Sequence, residues 1–104
     1  MKSAVVLALL LLTTKTFAAV SCVENITQVT LHRDGNVYFS SGSTCSNTWC
    51  QLVFPESDQL NRAYSMLLTA FTTNSQVTIR WPDINVCTEQ NIVYAAPSYL
   101  YIKK

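Results

Sequence analysis

The chain has 104 residues with seven basic and six acidic side chains, so its formal net charge is +1. This near-neutral balance provides no basic patch and argues against binding to nucleic acid or a membrane surface by charge. A chain of this length is expected to form one domain.

The N-terminus has the pattern of a signal peptide. A short positive start is followed by the apolar run Ala4–Leu12, and Thr16 and Ala18 place small residues where a signal peptidase reads the chain. The run is far shorter than the roughly 20 apolar residues that span a bilayer. We therefore predict cleavage after Ala18 or Ala19 and no integral membrane segment in the mature chain.

This prediction divides the chain into a signal peptide, residues 1–18, and one mature domain, residues 19–104. The mature domain loses Lys2 and Lys15, which leaves five basic against six acidic residues and a net charge of −1. We expect the protein to be secreted or periplasmic.

Four cysteines remain in the mature domain, and an even number in a small exported domain predicts two disulfides. Zinc is the alternative, but an oxidising compartment disfavours thiolate ligands, so we predict no metal site and no cofactor. Three pairings are possible, and we favour a bond from the Cys45–Cys50 segment to Cys87. The cysteines are Cys22, Cys45, Cys50 and Cys87.

The first half of the mature domain reads as three strands. Alternating residues predict strands over Ile26–Arg33 and Asn36–Ser41, and Asp34-Gly35 between them suits a two-residue hairpin turn. A third strand, Trp49–Phe54, ends at Pro55.

The apolar period then changes from that of a strand to that of a helix. We expect Ser57 or Asp58 to cap the helix and the helix to end near Thr73-Asn74. Its apolar stripe consists of Leu60, Ala63, Tyr64, Leu67, Leu68 and Phe71.

A fourth strand is predicted over Val77–Trp81, and one or two further strands over Ile92–Tyr94 and Tyr99–Ile102. The resulting order β-β-β-α-β-β is that of the OB-fold, a five-stranded, partly open barrel. An α+β domain with a sheet packed on one helix is the alternative. The barrel is favoured because it leaves few exposed strand edges.

No group of residues suggests an active site. His32 is the single histidine and has no candidate nucleophile, because the cysteines are expected to be oxidised. Glu56 and Asp58 lie where they complement the dipole of the predicted helix. We predict that the protein is not an enzyme and has no catalytic residues.

Aromatic residues are too numerous for a core of this size, so some are expected at the surface. Exposed rings with polar edges are typical of surfaces that bind sugars or proteins. The candidates are Tyr38, Trp49, Trp81, Tyr94, Tyr99 and Tyr101.

The runs Gln59–Asn74 and Gln76–Trp81 resemble the helix and following strand of the subtilase cytotoxin B-subunit family. The resemblance extends to the Ile26–Phe39 hairpin and the Cys45–Cys50 segment. Members of that family are secreted bacterial proteins with an OB-fold. This chain is shorter than the toxin subunit and lacks its C-terminal cysteine pair.

The resemblance implies a homopentamer that binds sialylated glycans on host cells and carries a toxin A subunit. It places the glycan site at Trp81, with Thr27 and Asn25 on the first strand, and requires Trp81 to be exposed at a rim. Trp81 replaces the family's tyrosine, which implies a different sugar specificity. The alternative is a secreted or periplasmic protein-binding or structural domain without a glycan ligand.

Overall fold

The computed structural model describes residues 19–104, so the predicted signal peptide lies outside the described part of the chain. Among these residues no helix has the length and apolar character needed to cross a membrane. The elements are β1 (Val20–Leu31), β2 (Val37–Ser41), β3 (Cys50–Leu52), α1 (Ser57–Thr73), β4 (Gln76–Trp81) and β5 (Tyr99–Tyr101).

The five strands form one antiparallel sheet in the order β3-β2-β1-β4-β5. The sheet curls, and the segment between β4 and β5 meets β3 through a parallel bridge between Cys50 and Ala95. The Gln51 backbone N–H donates to the Ala95 backbone carbonyl at 2.9 Å across this bridge. The predicted fold is confirmed: the protein is mainly β, with one helix and a small OB-like barrel.

Strand β1 is longer than predicted and serves both halves of the barrel. Its first part, Val20–Asn25, pairs with β4, and its second part, from Ile26 onward, pairs with β2 with a register shift between Ile26 and Gln28. The sequence prediction missed the first part because Glu24, a carboxylate, occupies an inward position that normally holds an apolar residue.

The predicted two-residue hairpin turn is wrong, because residues 32–36 separate the last paired residues of β1 and β2. Only Gly35 has a positive φ in this loop, at 92°. The Asp34 carboxylate accepts a hydrogen bond from the Asn36 backbone N–H at 2.9 Å, which favours the wider, side-chain-supported turn.

Helix α1 starts where expected but is capped differently. Its N-cap is Glu56, without a side-chain cap hydrogen bond, rather than Ser57 or Asp58. The helix ends as predicted, since Asn74 adopts the left-handed conformation and its N–H bonds to carbonyls of the last turn. The buried face that packs against the barrel contains Ala63, Leu67 and Ala70.

The predicted strand Ile92–Tyr94 is a turn instead. The Ala95 N–H bonds to the Ile92 carbonyl at 3.1 Å, and Tyr94 has a φ of 64°. A left-handed residue interrupts the extended backbone that a strand requires, so the apolar run alone misled the prediction.

The disulfides join Cys22 to Cys87 and Cys45 to Cys50. The favoured bond from the Cys45–Cys50 segment to Cys87 is therefore wrong, because the loop after β4 returns Cys87 to β1 rather than to β3. Two disulfides indicate an oxidising, non-cytoplasmic location. Within residues 19–104 no group of three His, Cys, Asp or Glu residues is placed to hold a metal ion.

Candidate functional site

Trp81 lies in the barrel core, with a relative exposure of 0%. It alternates inward with Val77 and Ile79 on β4, and its ring stacks on Phe39 with centroids 6.2 Å apart. The expectation that Trp81 is exposed at a rim is therefore wrong, and its indole cannot stack on a sugar in this fold.

The other two predicted glycan residues, Asn25 and Thr27, are exposed on β1. They are not near the Trp81 end of the strand, because Trp81 pairs with Val20 whereas Asn25 pairs with Gln76. Five strand residues correspond to about 17 Å. The structure does not bring the three together, and a role for Asn25 and Thr27 in glycan binding stays a prediction.

Trp81 has an internal partner, the Glu24 carboxylate, which is 1% exposed. The indole N–H donates to Glu24 Oε2 at 2.9 Å. Further hydrogen bonds come from the Ser41 hydroxyl at 2.8 Å and from both the hydroxyl and backbone N–H of Thr44. These four bonds satisfy the buried carboxylate and join β1, β4 and the loop after β2.

A cleft on the outside of the barrel gathers three of the remaining aromatic residues. It has a volume of about 230 Å³ and is lined by Thr30, His32, Tyr38, Trp49 and Tyr94. Trp49 is 42% exposed and Tyr94 is 55% exposed. The Tyr38 and Tyr94 rings are tilted, with centroids 5.5 Å apart.

Strand pairing positions one wall of the cleft. Thr30 and Tyr38 are direct partners in the β1–β2 ladder. Val37 and Phe39 are buried on the inner face, so Tyr38 between them points to the outer face. Because paired residues share a face, Thr30 lies beside Tyr38.

Two loops supply the other wall. The Tyr94 backbone N–H donates to the Trp49 carbonyl at 2.7 Å, and the Cys45–Cys50 disulfide closes the loop that carries Trp49. The Gln90 side chain links the same loops, since it donates to the Ser43 carbonyl at 2.7 Å and accepts from the Ser46 N–H at 3.1 Å.

Tyr94 is held in a backbone conformation that bulky residues rarely adopt. A left-handed residue of this kind costs about 1–2 kcal/mol, and such residues cluster at functional sites. Here the conformation places the Tyr94 ring against Tyr38 and leaves more than half of its surface exposed.

The charged group beside the cleft is Asp34. A hydrogen bond from the Asn36 backbone N–H lowers the pKa of this carboxyl below its ordinary value of 3.8, with a smaller contribution from His32. Asp34 Oδ1 lies 3.1 Å from His32 Nδ1, and this contact becomes an ion pair when the imidazole is protonated.

The cleft therefore offers aromatic faces and hydrogen-bonding groups, but its lining contains no nucleophile paired with a base. Comparison with protein-family models, curated proteins and solved structures found no match to this chain. The resemblance to the subtilase cytotoxin B-subunit family stays a prediction that rests on the residues quoted for it.

The sequence named the aromatic residues of this cleft as surface candidates but did not group them. Tyr38, Trp49 and Tyr94 come from a strand, a loop and a turn that meet only in the folded barrel. The strand period around Tyr38 is the signal that could have given its outward direction, whereas nothing in the sequence indicated that Tyr94 faces it.

Proposed function

We propose that this protein is an exported, non-catalytic glycan-binding module and that its sugar site is the aromatic cleft. The observation that carries the proposal is the half-exposed ring of Trp49 next to two tyrosines and several hydrogen-bonding groups. An aromatic face packs against the apolar C–H face of a sugar, while the polar edges hydrogen-bond to its hydroxyls.

The size of the cleft supports a small ligand. Its volume of about 230 Å³ is below the range of roughly 300–1,000 Å³ typical of drug-sized ligand pockets. A terminal sugar residue suits this space better than an oligosaccharide enclosed along its length.

A glycan array probed with the mature, oxidised protein tests the proposal. Trp49→Ala should weaken binding about tenfold or more, which corresponds to about 1.4 kcal/mol. Tyr101→Ala is the matched control, because Tyr101 is equally exposed, at 41%, but lies on β5 outside the cleft. Absence of binding to any glycan would refute the proposal.

The resemblance extends this proposal to a toxin B subunit that forms a pentamer, binds sialylated host glycans and carries an A subunit. Light scattering on the mature protein tests the assembly, because a closed ring of five chains has five times the monomer mass. A stable monomer would contradict the proposed pentamer but not the proposed glycan binding.

A protein-binding domain is the second candidate, and a separate surface favours it. Tyr99 and Tyr101 stack on the exposed face of β5 with centroids 6.3 Å apart. Tyr99 also lines a second groove, together with Phe54, Arg62 and Met66. Exposed tyrosine and arginine are enriched in protein interfaces. A partner lost on Tyr101→Ala but retained on Trp49→Ala would support this function.

A further inference from the structure

The hydroxyl groups of the cleft are arranged as hydrogen-bond donors. The Asn36 side-chain amide donates to the Tyr38 hydroxyl oxygen at 3.2 Å, and the Gln28 amide donates to Thr30 Oγ1 at 3.3 Å. A hydroxyl that accepts one bond still has its own proton to donate. Both hydroxyls can therefore donate to oxygen atoms of a ligand.

The tryptophan adds a third donor. Within residues 19–104 the Trp49 indole N–H has no hydrogen-bond partner, whereas the Trp81 N–H is used by Glu24. An indole N–H is a donor only, so a ligand in the cleft meets an aromatic face with a free donor at its edge.

Among the described residues, no lysine or arginine lines this cleft. The charged group in contact with the lining is the Asp34 carboxylate, next to His32. An exposed aspartate is ionised at neutral pH. Neither Asp34 nor Arg33, which is exposed in the same loop, lines the cleft, but Asp34 contacts the lining through His32. The contact between Asp34 and His32 therefore brings a negative rather than a positive group to the lining.

We infer that the cleft takes an uncharged sugar residue and disfavours a sugar that carries a carboxylate. This inference rests on the proposed glycan-binding function and departs from the sialylated ligand that the family resemblance implies. The three donors bind ring, hydroxyl or acetamido oxygens, and the sugar's C–H face packs on Trp49. A ligand carboxylate would lose hydration without gaining a cation and would be repelled by Asp34.

The test uses immobilised pairs of glycans that share one core, each with and without a terminal sialic acid. We expect binding to uncharged members and at least a tenfold loss when sialic acid is added. Asp34→Asn removes the carboxylate next to the cleft, so it should reduce the loss of binding that sialic acid causes. Glu56→Gln removes a charge at the helix N-cap and should leave that loss unchanged.

Tyr38→Phe provides a second measurement, because it removes one donor and keeps the ring. It should weaken binding of the uncharged glycans while the protein retains its unfolding midpoint. Equal or tighter binding of the sialylated members through Trp49 would overturn the inference and leave the glycan-binding function intact. Binding to no glycan would overturn both.

Discussion

Trp49 lies immediately before β3 and Trp81 ends β4, yet Trp49 is 42% exposed in a surface cleft and Trp81 is fully buried. The difference comes from their neighbours. Trp81 donates to a buried carboxylate and stacks on Phe39, so both its polar and apolar parts are satisfied inside. Trp49 precedes β3 in a loop and has no internal partner for its N–H within the described residues.

This contrast separates stability from recognition. The Trp81 region joins strands through Glu24 and is covered by the barrel, so changes there should affect folding. The Trp49 region is open, so changes there should affect binding.

The largest expected effect is that of Trp81→Ala. Removing a buried tryptophan typically costs about 3–5 kcal/mol, and here it also removes a donor from a buried carboxylate. Urea unfolding should show this loss, whereas Trp49→Ala should change the unfolding free energy by less than about 1 kcal/mol, as expected for surface sites. Equal destabilisation by both changes would contradict the comparison.

The next largest effect should come from the disulfides, which should stabilise the fold by different amounts. The Cys22–Cys87 bond has a sequence separation of 65 and the Cys45–Cys50 bond one of 5. Loop-closure entropy then gives about 4 kcal/mol for the first and about 2 kcal/mol for the second.

Paired Cys→Ser variants of each bond, compared by thermal unfolding, test this order. Loss of the Cys45–Cys50 bond should also weaken ligand binding at Trp49, because it frees the loop that carries this residue. If the short loop proved the more stabilising, chain entropy would not be the dominant contribution.

Glu24→Gln should have a smaller effect. The amide keeps the shape of the carboxylate but presents N–H groups to some of the four donors around Glu24. Donors left without acceptors cost about 1–3 kcal/mol. Denaturant midpoints of Glu24→Gln and of the exposed control Glu56→Gln give this difference directly, and a similar midpoint for both would argue against the proposed role of the buried carboxylate.

The smallest effect should come from Asp34→Asn, since Asp34 is exposed. Because the folded-state pKa of Asp34 lies below 3.8, its ionised form stabilises the loop at higher pH. This contribution is lost as the pH falls through the folded-state value. Unfolding midpoints of wild type and variant should differ slightly at neutral pH and converge well below pH 3.8. A difference that grows on acidification would contradict this sign.

Much of the fold was predictable because local periodicity reflects burial. The helix around Leu67 and the strands around Phe39 and Ile79 each bury one face, and that face is visible as spacing in the sequence. The failures have a different origin: the turn at Tyr94 depends on one left-handed residue, and the cap of α1 does not use a favoured capping side chain.

The site was less predictable than the fold. The family resemblance required Trp81 at an exposed rim, whereas the structure buries its ring against Phe39 and pairs its N–H with Glu24. Similarly, the pairing of the four cysteines depends on the path of the loop that carries Cys87 back to β1.

The sequence by itself determined the order of the strands and helix, the presence of two disulfides and the excess of aromatic residues, because these follow from local spacing and composition. The tertiary structure decided which cysteines pair, which tryptophan is buried, and that Tyr38, Trp49 and Tyr94 form one cleft. Those outcomes depend on contacts between residues distant in the chain, which spacing along the sequence does not specify.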